Sequence, residues 1–388
     1  MLNTKARVRS LAHAICAIAA ANASTVEALE PTHILLTQDT DPVAINVGSL
    51  DGFTLRYTDE FGMSGIAPLH SLRAMIPSEH SSPETSSSML LLVDGQRFPG
   101  SFSGASDAQD SIEWQHDGFG SLSVALDKLE AVIFEPDSRV PSGISTRDTL
   151  TLTNGDALSG FIIDLGVDAT IETESGELVD VALDRVAWVR VANPPEMLEG
   201  IVVWLADGTV TRLIDIQRAG ATTVELIRTS STSMIVPLED IVAVMMRAQD
   251  ITSLASLLPT EQHPIGRPRL LEPLRLASSP VSMYDSSLIV PDLVIPAPMQ
   301  IDWQLPGDRL TFSTTLELPE ETAPWGNCEV VVMVDGFEVA RHHMHENNRV
   351  AQLLVPLNGS MLQIRVEPGA YGPIRDSIVL RHPVLLHD

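Results

Sequence analysis

The sequence predicts an all-β protein, built as tandem small β-barrel repeats followed by an antiparallel β-sandwich. Three observations predict it. One closing motif recurs four times between about residues 31 and 247, an Asp-Gly or Asn-Gly pair stands at the same place in three of the copies, and the last third alternates apolar and polar residues strictly.

The closing motif reads Leu69-His70-Ser71-Leu72-Arg73-Ala74-Met75 in the first copy and Leu126-Asp127-Lys128-Leu129-Glu130-Ala131-Val132 in the second. In the third it is Leu183-Asp184-Arg185-Val186-Ala187-Trp188-Val189, and in the fourth Leu238-Glu239-Asp240-Ile241-Val242-Ala243-Val244. Apolar residues hold the first, fourth and seventh places throughout. This spacing predicts a single 3₁₀ turn leading into a last strand, with equivalent buried positions at Leu126, Leu183 and Leu238. The recurring acidic residues Asp127, Asp184 and Glu239 read as caps of that turn.

The copies open on Leu91-Leu92-Val93-Asp94-Gly95, Thr151-Leu152-Thr153-Asn154-Gly155 and Trp204-Leu205-Ala206-Asp207-Gly208. Asp-Gly and Asn-Gly between β-rich runs predict type I′ hairpins, whose two central residues both need positive φ. The intervals Gly95–Leu126, Gly155–Leu183 and Gly208–Leu238 are nearly equal in length. The first copy has Asp39-Thr40-Asp41-Pro42 instead, so its first turn must be built differently. The copies span 31–77, 88–135, 147–193 and 199–248, with Pro77–Ser88 and Glu135–Arg147 as spacers. Units of this length with five short strands resemble Sm-like or SH3-like barrels, standing separately or in pairs. Propeller blades have a similar period and remain open as the alternative.

From Ile251 the composition shifts, and Pro259, Pro264, Pro268, Pro273 and Pro280 mark irregular chain. Beyond it Ile301, Trp303 and Leu305 alternate with polar residues, as do Leu310 to Leu318 and Leu362 to Val366. Val330–Val334 reads as a buried strand turning sharply at Asp335-Gly336. Trp303, in phase with Ile301 and Leu305, reads as core. Antiparallel strands with no helical period make residues 251–388 a sandwich.

The segments Ile301–Phe312, Glu329–Val339, Ala351–Leu357 and Met361–Val366, with Asp376 before the last strand and Ile251–Pro259 as a lead-in, carry a resemblance. Together they resemble a jelly-roll family of carbohydrate-binding modules from secreted planctomycete-type proteins. The resemblance covers about a third of the chain and implies a jelly-roll fold and a glycan ligand. This chain departs from the family in having Leu288–Leu293 where a Gly/His/Ser-rich strand is usual. It also lacks the histidine and tryptophan that normally follow the position of Asp376.

Sugar recognition needs an aromatic face and planar polar groups, because sugar rings offer C–H faces and hydroxyl edges. Trp325, in Pro324-Trp325-Gly326-Asn327, and Tyr371, in Gly369-Ala370-Tyr371-Gly372, are the loop aromatics available, and Asp376 joins them through the family pattern. The histidine cluster Arg341–Glu346 puts His343 and His345 on one strand face but fixes no third metal ligand, so it reads as a solvated hairpin. No H-E-x-x-H, P-loop, G-x-S-x-G or cysteine pair occurs, so no catalytic residue, metal site or cofactor is assigned.

Charge and termini narrow the classes further. With 24 Lys+Arg against 51 Asp+Glu the net charge is −27, which repels phosphate backbones and argues against a nucleic-acid partner. Lys5, Arg7 and Arg9 precede the apolar run Leu11–Ala21, and Ala21-Asn22-Ala23 has the small residues of a cleavage site. Residues 1–23 thus read as a signal peptide, giving an exported, periplasmic or extracellular chain with no transmembrane segment in its mature form. Removal of Cys16 with that segment leaves Cys328 without an intramolecular partner. Three functions stay open: a non-catalytic protein binding glycan or a cell-envelope component, an envelope scaffold binding proteins through its repeats, and a glycan-processing enzyme with dispersed carboxylates.

Overall fold

Alternating apolar residues followed by the closing motif produce one kind of β unit in each copy, with five strands in the first three and six in the fourth. A computed structural model describes residues 31–37, 43–51, 54–77, 88–105, 111–136, 138, 146–265, 292–307, 309–320, 322–369 and 377–387. The predicted export signal and the Asp39–Pro42 turn lie outside these residues. Unit 1 comprises β1 (His33–Thr37), β2 (Val43–Asp51), β3 (Thr54–Asp59), β4 (Ser64–Pro68) and β5 (Leu72–Pro77). Unit 2 comprises β6 (Ser88–Leu92), β7 (Arg97–Ala105), β8 (Ser111–His116), β9 (Gly120–Ala125) and β10 (Leu129–Ile133). Unit 3 comprises β11 (Asp148–Leu152), β12 (Ala157–Leu165), β13 (Asp168–Thr173), β14 (Leu178–Ala182) and β15 (Val186–Arg190).

In these three the first strand pairs with both the second and the fifth, and the third pairs with the second and the fourth, all antiparallel. A bulge bends every long second strand, between Val47 and Ser49, Phe102 and Gly104, and Ile162 and Asp164. Bulges of this kind turn a flat ribbon into a barrel wall. Unit 4 breaks the same strand outright at Ile214, giving β16 (Ile201–Leu205), β17 (Val210–Leu213), β18 (Asp215–Arg218), β19 (Thr223–Thr229), β20 (Thr232–Pro237) and β21 (Ile241–Met245).

The predicted 3₁₀ turn is present in every unit, at Leu69–Ser71, Leu126–Lys128, Leu183–Arg185 and Leu238–Asp240. Two details differ from the sequence reading. Leu126, Leu183 and Leu238 start the turn at the barrel rim and are only partly buried, whereas the fourth place of the motif, Leu129, Val186 and Ile241, is buried. The cap position belongs to Ala125, Ala182 and Pro237 without a side-chain bond, so Asp127, Asp184 and Glu239 are exposed members of the turn and do not cap it.

The opening hairpins also depart from type I′. Gly95, Gly155 and Gly208 have positive φ but Asp94, Asn154 and Asp207 do not. Gly95 N–H donates to Leu92 O and Leu92 N–H to Gln96 O, which defines a type I turn completed by a left-handed glycine. The Asp or Asn side chain explains the choice: its Oδ1 accepts from the N–H of Gln96, Asp156 and Thr209 respectively, a bond that holds the residue at negative φ.

Units 1 to 3 share one 18-stranded sheet with β16, β17 and β21 of unit 4, while β18, β19 and β20 form a separate three-stranded sheet. Closing strands pair across units, β5 with β21 and β10 with β15, so unit 1 joins unit 4 and unit 2 joins unit 3. A single register contact, Val210 with Arg97, links units 2 and 4. Strands buried on both faces explain why the closing runs, such as Ala131-Val132-Ile133, are continuously apolar.

The remaining strands are β22 (Ile251–Ser253), β23 (Glu261–Pro264), β24 (Leu293–Pro296), β25 (Met299–Gln304), β26 (Leu310–Glu317), β27 (Asn327–Val334), β28 (Phe337–His345), β29 (Val350–Leu357), β30 (Met361–Pro368) and β31 (Ser377–His387). They form two antiparallel sheets of five. In one, β31 pairs with β22, β24 and β26, and β26 with β29; the other has the order β23-β25-β30-β27-β28. Trp303, Phe312, Ile364 and Leu380 fill the space between them as core. Asp335 and Gly336 both have positive φ, so the type I′ turn occurs here. Ile251, Val384 and Leu386 pack with Leu36, Ala74 and Trp204, which seats the sandwich on units 1 and 4.

Candidate functional site

Two loops cross between the sheets at one end of the sandwich. Leu318–Gly326 leads from β26 in one sheet to β27 in the other, and Glu346–Arg349 leads back from β28 to β29. Asn327 is in register with His345 and Glu317 with Val350, so the loops begin and end side by side. Leu318 N–H donates to Arg349 O at 2.8 Å, tying one to the other. Between them lies a cavity of about 480 Å³, lined by Ala323 to Asn327 on one wall and by His345, Glu346 and Asn347 on the other.

The first wall is held by local backbone bonds. Thr322 and Ala323 N–H both donate to Pro319 O, and Trp325 and Gly326 N–H both donate to Thr322 O. Ala323 is buried beneath, and a Cβ at Gly326 would meet Leu318 Cδ1 at 2.8 Å, so a larger residue there would have to displace the Leu318 side chain. These contacts hold Trp325 on the surface with 64% of its area exposed. A large apolar side chain kept in water by a hydrogen-bonded turn is the kind of exposed feature that marks binding.

The opposite wall is polar. Asn347 N–H donates to His345 Nδ1 at 3.2 Å, so the neutral imidazole carries its proton on Nε2. Asn348 Nδ2 donates to His343 O, and His343 and His345 meet edge to face at 5.2 Å. Met344 between them points into the core. Beside the cluster, Arg341 bonds Glu338 and Glu329, and its bond draws the Glu338 carboxyl below its ordinary range.

Of the sequence-predicted ligands, Trp325 thus lines the cavity, while Tyr371 and Asp376 lie outside the described residues. Asn327, His345, Glu346 and Asn347 had no such role in the sequence reading. Their proximity to Trp325 depends on the β27–β28 register, which side-chain types alone do not reveal. A separate group, Glu261, His263 and Asp302, brings ligand-type atoms within 4.8 Å of one another. His263 is paired with Glu261 at 2.7 Å, and both Asp302 oxygens accept amides, from Gln300 and Gln363, so a polar network explains the group without a metal ion. Among the described residues no helix is long and apolar enough to cross a membrane.

No protein-family profile and no curated protein matches the chain. Among solved structures, a CBM51 module from Clostridium perfringens GH95, in complex with methyl-galactose, is similar at 16% identity. The match covers 35% of this chain and 99% of that one, with a TM-score of 0.28. A structure of CBM51-2 in complex with GlcNAc and INT domains, from Clostridium perfringens ZmpB, aligns at 12% identity over 46% of this chain and 43% of that one, TM-score 0.29. The exo-β-1,3-galactanase of Phanerochaete chrysosporium aligns at 7% identity over 92% and 96%, TM-score 0.19. At such scores the functional reading rests on the cavity and not on these likenesses.

Proposed function

We propose that this is an exported, non-catalytic protein that binds glycan in the cavity beside Trp325. The observation that carries the reading is an exposed indole fixed at a cavity whose other wall offers an imidazole, a carboxylate and an amide. A sugar ring would stack its C–H face on the indole and direct hydroxyls to His345, Glu346 and Asn347. The N-terminal Lys5–Ala23 pattern supports export. A glycan array on the full chain, followed by calorimetry on its hits, tests this. Trp325→Ala should lose about five- to tenfold in affinity, as stacking is worth on the order of 1 kcal/mol, with an unchanged melting temperature. Unchanged binding would remove the cavity from consideration, and hits cleaved on incubation would overturn the non-catalytic part.

One observation favours a second role for the repeats. Phe161, Glu172 and Leu178 form a cross-strand row on unit 3, and Phe161 and Leu178 are each 62% exposed with Ile163 also in water. Exposed apolar side chains on either side of one carboxylate fit a protein partner.

A further inference from the structure

A second cleft, of about 300 Å³, opens where unit 2, the segment entering unit 4, and unit 4 itself meet. Its walls carry Asp94, Lys128, Glu196, Arg212 and Arg228. In a chain of net charge −27 with only two lysines, three cations converging on one small cleft run against the composition.

The seam that forms the cleft is fixed by polar bonds. Gln96 Oε1 accepts from Arg212 N–H at 3.0 Å and from Thr211 Oγ1, and Glu196 N–H donates to Val93 O at 2.9 Å. Lys128 pairs with Glu196 at 2.6 Å, and Asp94 is occupied by Gln96, which donates to both its oxygens. The two arginines have no such neutralisation: neither guanidinium makes an ion pair among the described residues. Arg228 lies over the Phe98 ring, 5.0 Å from its centroid, and its Nε is buried without a hydrogen-bond partner. Burial pulls the Arg228 pKa down, the nearby Asp94 carboxylate raises it in part, and the charge of Arg212 lowers it further, so Asp94 offsets the two cations only incompletely.

We infer that this cleft is an anion site that receives one carboxylate or sulfate group of a small ligand between Arg212 and Arg228. Planar guanidinium groups match both oxyanions through paired N–H donors, and the Phe98 surface beneath Arg228 strengthens the attraction by excluding water. The volume fits a single sugar-sized molecule, and the surrounding negative field disfavours a polyanion.

Calorimetry of the full chain with galacturonate and with galactose 6-sulfate, against neutral galactose, tests the site. At least one acidic sugar should bind, and which of them does identifies the oxyanion. Arg212→Gln, an exposed position, should weaken that binding about tenfold or more, whereas Arg247→Gln, on the surface outside the cleft, should leave it unchanged. The loss caused by Arg212→Gln should persist in the Trp325→Ala background, where the sugar cavity is weakened, so that failure here is distinct from failure of the sugar cavity. Equal binding by Arg212→Gln, equal losses in both arginine variants, or no binding by either acidic sugar would overturn the inference.

Discussion

The barrel array and the sandwich handle the same problem, uniting β-sheets around apolar residues, in opposite ways. The sandwich closes two five-stranded sheets on one core, and its cavity arises from two loops at one end. In the array, units share a sheet through their closing strands, and polar groups concentrate at the seams: His33 Nε2 reaches Ile241 O between units 1 and 4, and His116 Nε2 bonds Thr209 between units 2 and 4. The difference teaches where to look for chemistry. Loops carry it in the sandwich, whereas joints between copies carry it in the array.

The largest test of this contrast is Trp303→Ala, which should cost the sandwich about 3–5 kcal/mol. The array has its own core, so calorimetry should show the sandwich transition moving while the array transition holds. A single transition shifting as a whole would mean that the Ile251–Val384–Leu386 contact with Trp204 couples the two. A smaller effect is expected of Asp148, a buried carboxylate that accepts from Ile162 N–H beside the β12 bulge and from Ala192 N–H, each at 2.7 Å. Asp148→Ala leaves both donors unmatched and should destabilise unit 3 by about 1–3 kcal/mol in urea unfolding.

Acid should separate the regions with the smallest energies. Burial lowers the pKa of His33 and His116 below the ordinary 6.5, so the unfolded chain takes up protons that the folded array refuses. Their contribution is complete above pH 6.5 and is lost as pH falls through the lowered folded values. In the sandwich the Asp335 carboxyl, held by Ser360 and Met361 N–H and Ser360 Oγ, lies below its ordinary 3.8, so its contribution survives until the pH falls under that value. Melting curves from pH 7 to 3 should show the array weakening first, and simultaneous loss would discount the seam histidines.

Much of this fold was legible because repetition exposes it. The closing motif announced the turn and last strand in all four copies, and Trp303 declared itself by phase. What escaped depended on partners remote in sequence. The same Asp-Gly pair forms a type I turn at Asp94 and a type I′ turn at Asp335, because Asp94 accepts from Gln96 N–H two residues on, whereas Asp335 accepts from Ser360 across the sheet. Likewise Trp325 was recognisable as a loop aromatic, but the approach of His345 and Asn347 follows from strand register.

The nested pairing of closing strands also imposes an order of assembly. Units 2 and 3 are consecutive, so β10 and β15 can meet as soon as the second of them leaves the ribosome, whereas the β5 edge of unit 1 must wait until β21 has been made. Throughout that interval β5 is paired with β1 on one side only, and its outer edge at Ala74 and Met75 is open, an invitation to pair with another nascent molecule. Any truncation that ends before Ile241 makes the wait permanent, so such fragments should be gathered by chaperones or into aggregates while the full-length product escapes both.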